Sequence, residues 1–480
     1  MVKCSQIINN ELRSNYWCAS EYNSNNAWNF NGNNGTLNNN NKFNSLGVRS
    51  ALDLITMEDN FDSFVAFYAE MIDVYKVTRR AKRNKISQLL FEHDLAFNLV
   101  VLCYDVYFFQ YIPKRSICFV ILKPAVREVM AADFSDRIVQ TFLVLRIQPI
   151  LEQHLHDDSF SCRVGKGTLR AVWQLAKYVR QVTDIYRKDA YIYKMDIKSF
   201  FSSIDTNLYT NKLIDFIKNN YVGEYKDLLM YLSRIIFQSL PQENCIFKGY
   251  RQLRECLPKD KSLIGRTDGI GIPIGNRTSQ MMCNFTTTAL LTLLSDCGCK
   301  FAHYSDDNAG VVRNKEEFLI IKKNIEIFVR EEMNMQIHPN KFYFQHFSKG
   351  VSFLSFKLKK DRILPSNRIV HNVRYRIATE ISKAKNIPNY IYKNKEHFMQ
   401  TVNSYMGLLK HSCSYNIRKE LFKAMSLSPW CIVFNFAPDF SKVEIKKNYR
   451  INSIYKQINK QRKNELRKRN SSSECKKTRG

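Results

Sequence analysis

Three carboxylates carry the chemistry this sequence suggests. Asp306 and Asp307 stand side by side in His303-Tyr304-Ser305-Asp306-Asp307, between an apolar run ending in Phe301-Ala302 and another from Ala309 to Val312. The pattern predicts a hairpin: a strand, a tight turn holding both acids, and a return strand. Adjacent acids repel each other, and most such pairs are solvated turns. A third acid changes the reading. Tyr191-Ile192-Tyr193-Lys194-Met195-Asp196 is a β-branched and aromatic run that ends in Asp196, the composition of a strand. A strand-end Asp beside an acidic hairpin is the layout that clamps two divalent cations, about 3.5–4 Å apart, for in-line phosphoryl transfer. Hard oxygen ligands suit Mg²⁺, with Mn²⁺ as the alternative. In that chemistry one cation lowers the pKa of an attacking hydroxyl, and the other steadies a leaving pyrophosphate.

These residues also carry a resemblance. Tyr304-Ser305-Asp306-Asp307 resembles the YxDD box of reverse transcriptases, and Asp196-Ile197-Lys198-Ser199-Phe200-Phe201 resembles their first catalytic motif. Gly271-Ile272-Pro273-Ile274-Gly275-Asn276-Arg277-Thr278-Ser279-Gln280 is similar to the motif between them, in the form found in diversity-generating retroelements. Most reverse transcriptases carry Gln-Gly where this chain has Ile274-Gly275, and end in Ser-Pro where it has Ser279-Gln280. Order and spacing agree from about Phe67 to Phe422, and several motifs in order are more specific than any one alone.

The resemblance implies an α+β fold, a right-hand polymerase. It would have fingers, a palm made of a small antiparallel sheet backed by helices, and a helical thumb. The implied activity is that of an RNA-directed DNA polymerase, a nucleotidyltransferase copying a template-repeat RNA into cDNA with adenine-directed mutagenesis. Asp196, Asp306 and Asp307 would be catalytic and, with Ile197, would hold two Mg²⁺ ions. Lys123-Pro124-Ala125-Val126-Arg127-Glu128 resembles the fingers hairpin, where Lys123 and Arg127 would hold the incoming triphosphate through charge-assisted contacts. Phe201 would sit under the sugar and exclude a 2′-hydroxyl. Ile274, Gly275 and Gln280 would line the nucleotide site. Lys341, after the His338-Pro339 turn, is either a surface residue or, as the family implies, a neighbour of the triphosphate. The implied partners are template RNA, the RNA/DNA hybrid, dNTPs and a basic accessory protein, with no membrane. Two rival readings stay open: a retron-like or phage-defence reverse transcriptase, and a non-catalytic RNA-binding protein. The intact set of three acids argues against the second.

The rest of the chain must position these groups. Its 480 residues allow more than one domain. A formal charge of +29 points to a polyanion, nucleic acid before membrane surface. The thirteen Cys are scattered, without the paired spacing of a zinc site. They read as reduced, mostly buried thiols of a cytosolic protein, and the resemblance implies a cytoplasmic enzyme, bacterial or phage-encoded. No signal peptide opens the chain, and the apolar run Leu99 to Ile112 is interrupted by Asp105 and too short to span a membrane.

Residues 1–56 form an Asn-rich segment, either a disordered leader or a translated template repeat. Both Asn codons begin with a pair of adenines, and Tyr16 to Trp28 resembles the variable region of the lectin-fold targets of diversity-generating retroelements. Met57 would then start the working enzyme. Residues 57–190 read as an N-terminal extension and fingers. Phe61, Phe64, Phe67 and Met71 share one helical face, and the basic run Arg79 to Lys85 is a solvated helix end or a template contact. Ser161 to Thr168 is a Gly-flanked basic turn, either a helix cap or a template contact. Residues 191–360 read as palm, with inserted fingers helices over 207–255. Thr278 to Leu294 reads as a helix despite three successive threonines, and Phe318, Ile321, Ile325 and Phe328 mark another. Gly350 to Phe356 resembles the primer-grip hairpin, with Ser355 where the family more often has Gly. Residues 361–440 read as a helical thumb, and 441–480 as a basic tail that is disordered or binds RNA.

Overall fold

A computed structural model describes residues 61–80, 85–122, 125–250 and 252–450, together with the backbone of three short strands. Those strands, Asn15–Glu21, Asn26–Asn31 and Leu37–Asn41, pair antiparallel in sequence order. The rest of the Asn-rich segment, Lys123 and the tail beyond 450 lie outside the described residues.

The element that positions the acids is a four-stranded sheet. Its order is Tyr343–His346, Tyr191–Asp196, Asp307–Val312, Lys300–Tyr304. The strand Tyr191–Asp196 reads as almost continuously apolar and aromatic because it is covered on both faces: Ile192, Tyr193 and Met195 are buried. The chain divides into two compact units, neither of them a continuous stretch. One comprises Met1–Gly167, Met195–Asn308 and Glu316–Phe342, the other Thr168–Lys194, Ala309–Lys315 and Tyr343–Gly480.

In the first unit the helix Phe134–Glu152 is central. Asp133 caps it by accepting a hydrogen bond from Ser135 N. It is buried on nearly every side, because the helices Phe61–Arg79 and Arg277–Asp296 pack against it. The face of the first helix is the one its spacing predicts: Phe64, Phe67 and Met71 are fully buried, and the Phe67 ring meets Phe142 edge-on at 5.4 Å. The apolar run after residue 94 forms the helix Leu95–Tyr107, whose Leu99, Leu102 and Cys103 are buried. Among the described residues no single helix is long and apolar enough to cross a membrane. The threonine-rich stretch is helical over Arg277–Asp296. Thr287 and Thr288 there return their hydroxyls to carbonyls of the preceding turn, which meets the polar need of those two side chains.

The stretch 207–255 is mostly helical, as its pattern predicts, and holds one short strand. Helices run over Thr206–Asn220, Lys226–Gln238 and Gln252–Glu255. Between the last two the chain extends as Ile246–Phe247, parallel to Ile117–Ile121, which pairs antiparallel with Arg127–Ala131. Pattern alone misses this strand, since two residues are too few to show a period.

The second unit holds a three-stranded antiparallel sheet, Val351–Phe353, Phe356–Leu358 and Ile363–Pro365. Leu354 and Ser355 turn its first hairpin at φ 45° and 76°. Positive φ at both positions is what a tight hairpin of this type requires. Glycine would adopt it freely; each L-residue does so at a cost of about 1–2 kcal/mol. The helices Asn367–Asn386, Tyr390–Leu409 and Tyr415–Ser426 close around Trp430. Val443 and Ile445 belong to the same apolar core, so packed structure continues past residue 441, where the basic tail is expected to begin.

Candidate active site

Asp196 is the last residue of its strand and is 5% exposed. The acidic hairpin turns one residue earlier than its sequence suggests. Ser305 and Asp306 make the turn, Ser305 in the left-handed region at φ 60°, and Asp307 already begins the return strand. Asp306 senses the other two acids. Burial pushes the Asp306 carboxyl up to about 6, and the charges of Asp196 and Asp307 add to that rise. Cys283, fully buried on the helix Arg277–Asp296, lies close enough to Asp306 for the carboxylate to raise its thiol further above an already burial-raised value. His303 is buried in the adjoining strand, where burial holds its imidazole down to about 4 and therefore neutral.

Lys341 faces the three acids. Lys341 Nζ donates to Asp196 Oδ2. That bond holds the ammonium above its ordinary range, and attraction to Asp196, Asp306 and Asp307 adds to it. The backbone brings Lys341 there. His338 N donates to Asp196 O at 2.8 Å and Lys198 N to Gln336 O at 2.8 Å. His338 Nδ1 then accepts from Asn340 N, closing the turn Pro339–Lys341. The first two bonds bracket Ile197 without using its own carbonyl. Among the described residues no three of His, Cys, Asp and Glu are grouped tightly enough to hold a metal as they stand, and Asp196 is engaged by Lys341. The donor set still fits a divalent cation. It offers hard oxygens only, and the upward shift of Asp306 records a local excess of negative charge that such an ion relieves.

A second group forms around the Gly-rich loop. Ile272 N donates to Phe201 O at 2.8 Å and Gly271 N to Ile204 O at 2.7 Å, on the side of the Asp196 motif. On the side of the strand Arg127–Ala131, Met130 N donates to Ile274 O at 3.0 Å, and Ala132 N to Asn276 Oδ1 at 3.2 Å. Gly275 has φ +124°, and a Cβ there would meet Val129 Cγ1 at 2.9 Å. The loop thus ties the segment after Asp196 to the strand Arg127–Ala131 through backbone groups, a role that side-chain patterns do not reveal. Phe201 lies half-buried on the short helix Phe200–Ser203. Gln280 Oε1 accepts from Cys162 Sγ at 3.1 Å, and Asn284 Nδ2 donates to Ser161 O at 2.9 Å. The basic turn Ser161 to Thr168 therefore docks on the helix Arg277–Asp296. Arg127, exposed at the head of its strand, belongs to neither group in this structure. Its neighbour Glu128 was not singled out by sequence, yet it is buried and receives Ser262 Oγ at 2.7 Å and Leu263 N at 3.0 Å.

Residues 112–358, just over half of the chain, match the family described as reverse transcriptase (RNA-dependent DNA polymerase). The chain belongs to the reverse transcriptase family. Its mixed helix-and-strand architecture is that of a right-hand polymerase. Solved structures similar to this reverse transcriptase include the apo telomerase of Candida tropicalis truncated from its C-terminal domain. That match is 11% identical and covers 52% of this chain and 55% of that one, with a TM-score of 0.39. The telomerase of Candida albicans in complex with a TWJ fragment of telomeric RNA is 12% identical, covering 65% of this chain and 55% of that one, with a TM-score of 0.36. This chain thus spans just over half the length of these telomerases. No curated protein matches it in sequence.

Proposed function

We propose that the chain is an RNA-directed DNA polymerase that extends a primer 3′-hydroxyl on an RNA template with dNTPs. The observation that carries this is the meeting of Asp196, Asp306 and Asp307 around Lys341, in a chain of the reverse transcriptase family. The three carboxylates and the carbonyl of Ile197 would hold Mg²⁺, or Mn²⁺ in its place. When bound, the ions supply Lewis-acid activation of the hydroxyl and charge neutralisation of the pyrophosphate. Lys341 exchanges its carboxylate partner for triphosphate oxygens. Arg127 and Lys123 grip the same phosphates from the fingers. Phe201 walls off the 2′ side of the sugar, and the loop at Ile274-Gly275 backs the incoming nucleotide, with Gln280 on the helix behind. Primer extension on an RNA template with Mg²⁺ is the test. A well-folded chain that incorporates no dNTP would overturn the reading.

We further infer a diversity-generating retroelement enzyme that copies a template-repeat RNA with adenine-directed errors, assisted by a basic accessory protein in the cytoplasm. The support is the sequence Ile274 to Gln280 and the Asn-rich segment 1–56. In this assignment residues 57–190 serve as N-terminal extension and fingers, 191–360 as palm, 361–440 as thumb and 441–480 as a basic extension. Sequencing the cDNA made on a template containing all four bases tests it. Errors spread evenly over the four bases would leave the polymerase standing and remove the retroelement.

A further inference from the structure

The helix Thr168–Val182, in the second unit, buries Ala171, Val172, Leu175 and Val179 and leaves Trp173 46% exposed. An indole is large and apolar, and a half-wet one on a well-ordered helix is a surface that awaits contact. Trp173 lines a groove of about 560 Å³ together with Tyr186, the turn at 359–362 and the chain at 410–413. A second depression of about 440 Å³ continues past Trp173 along the same helix to Ile185.

The loop that ends this helix is strained. Asp184, Ile185 and Tyr186 have φ 49°, 53° and 66°. Three successive non-glycine residues in the left-handed region are costly, and a β-branched residue there is an outlier. Fully buried Thr183 imposes the conformation. Tyr186 N donates to its hydroxyl at 3.0 Å, Arg187 N and Lys188 N to its carbonyl at 2.9 and 2.8 Å, and Ile185 N reaches back to Arg180 O at 2.8 Å. The result is that Ile185 stands 58% exposed and Tyr186 faces the groove. The Tyr186 ring stacks on Phe347 at 6.1 Å, and Lys360 Nζ lies 5.9 Å from its centroid. Strain of this kind is kept where a ligand is met.

Charge decides what the ligand is. Lys177 and Arg180 from the helix, Lys359, Lys360 and Arg362 from the turn, and Lys410 line the two depressions, with Asp361 the one acid among their lining residues. A basic protein is repelled by such a surface. Aromatic faces set among cations fit unstacked bases on a phosphate backbone. We propose that this groove binds a single-stranded stretch of RNA, with bases against Trp173 and Tyr186 and phosphates against Lys177, Arg180 and Lys360. The choice of RNA rests on the polymerase reading; the groove itself uses none of the residues assigned to catalysis.

The test measures binding of a labelled oligouridine to the full chain, for wild type, Trp173→Ala, Trp173→Phe and the double variant K177E/R180E. All three positions are exposed, and circular dichroism melts verify that the variants fold. Trp173→Ala should weaken binding by about tenfold, the loss of one stacked base. Trp173→Phe should recover most of it. The double variant should lower the slope of log affinity against log salt by about 1.4, two phosphate contacts on a single strand. Ultraviolet cross-linking should attach uridine to the peptides holding Trp173 or Tyr186. Extension of a short self-primed template should be unchanged in all variants. Wild-type affinity in both Trp173→Ala and the double variant, or cross-links confined to other peptides, would overturn the groove. If the wild type extends no primer while these variants still lose RNA, the polymerase reading falls and the groove stands. If extension is robust and the variants bind as the wild type does, the groove falls alone.

Discussion

The helical core around Trp430 and the acidic hairpin at Asp306 are built on opposite terms. Trp430 is fully buried, its ring 4.4 Å from Phe398 and stacked on Phe434 at 5.4 Å, and its indole N–H donates to Glu380 O. Every part of that side chain is satisfied, so its burial lowers the free energy of the fold. At the hairpin, three carboxylates share one region with the Lys341 ammonium, and burial raises Asp306 to about 6. That arrangement works against stability. A fold keeps such a feature for what it binds, and a perturbed acid among neighbouring carboxylates marks a candidate functional site.

The sharpest break of this contrast is Asp306→Asn. Polymerisation should fall by about a thousandfold or more, since a metal-directed carboxylate supplies several kcal/mol to the transition state. The melting temperature in EDTA should stay level or rise, because a like charge is removed from beside Asp196 and Asp307. Primer extension and calorimetry read the two effects. A lowered melting temperature would make Asp306 a structural residue and erase the contrast. Trp430→Ala should do the reverse, costing about 3–5 kcal/mol in urea denaturation while the remaining folded protein keeps its rate. Loss of rate without loss of stability would show that this core acts on catalysis directly.

Gly275→Ala probes the loop between the two sides of the site. Its φ of +124° and the Val129 contact predict a cost of about 1–3 kcal/mol. Activity should fall further than stability, because the same loop anchors Phe201 and Met130. Equal losses in both measurements would reduce the loop to packing. Phe201→Val should admit ribonucleotides, lowering discrimination between dNTP and rNTP by about tenfold as space opens beside the sugar. Unchanged discrimination would remove the gate role. The smallest effect belongs to Ile274→Gln. Restoring one oriented polar contact, about 1 kcal/mol, should cut misincorporation opposite template adenine several-fold. Equal error rates at all four template bases in both proteins would leave Ile274 a packing residue.

Residue patterns alone carried the family and most of the elements. Asp196, Asp306 and Asp307 were legible because strand ends and acidic turns are local patterns, set by alternation and turn residues over a few positions. The face of the helix Phe61–Arg79 was legible for the same reason: apolar spacing reports directly which side is buried. The tertiary structure decided the rest. That Lys341, far along the chain and itself exposed, meets Asp196 depends on two backbone bonds around Ile197, and backbone bonding partners leave no mark in residue types. Glu128 gripping Ser262 and Leu263, Gln280 receiving Cys162, and the two-residue strand Ile246–Phe247 are long-range pairings of the same kind. A period or a motif encodes what a segment does alone. Which distant backbone groups it satisfies is settled only when the packed chain must pair every buried donor and acceptor.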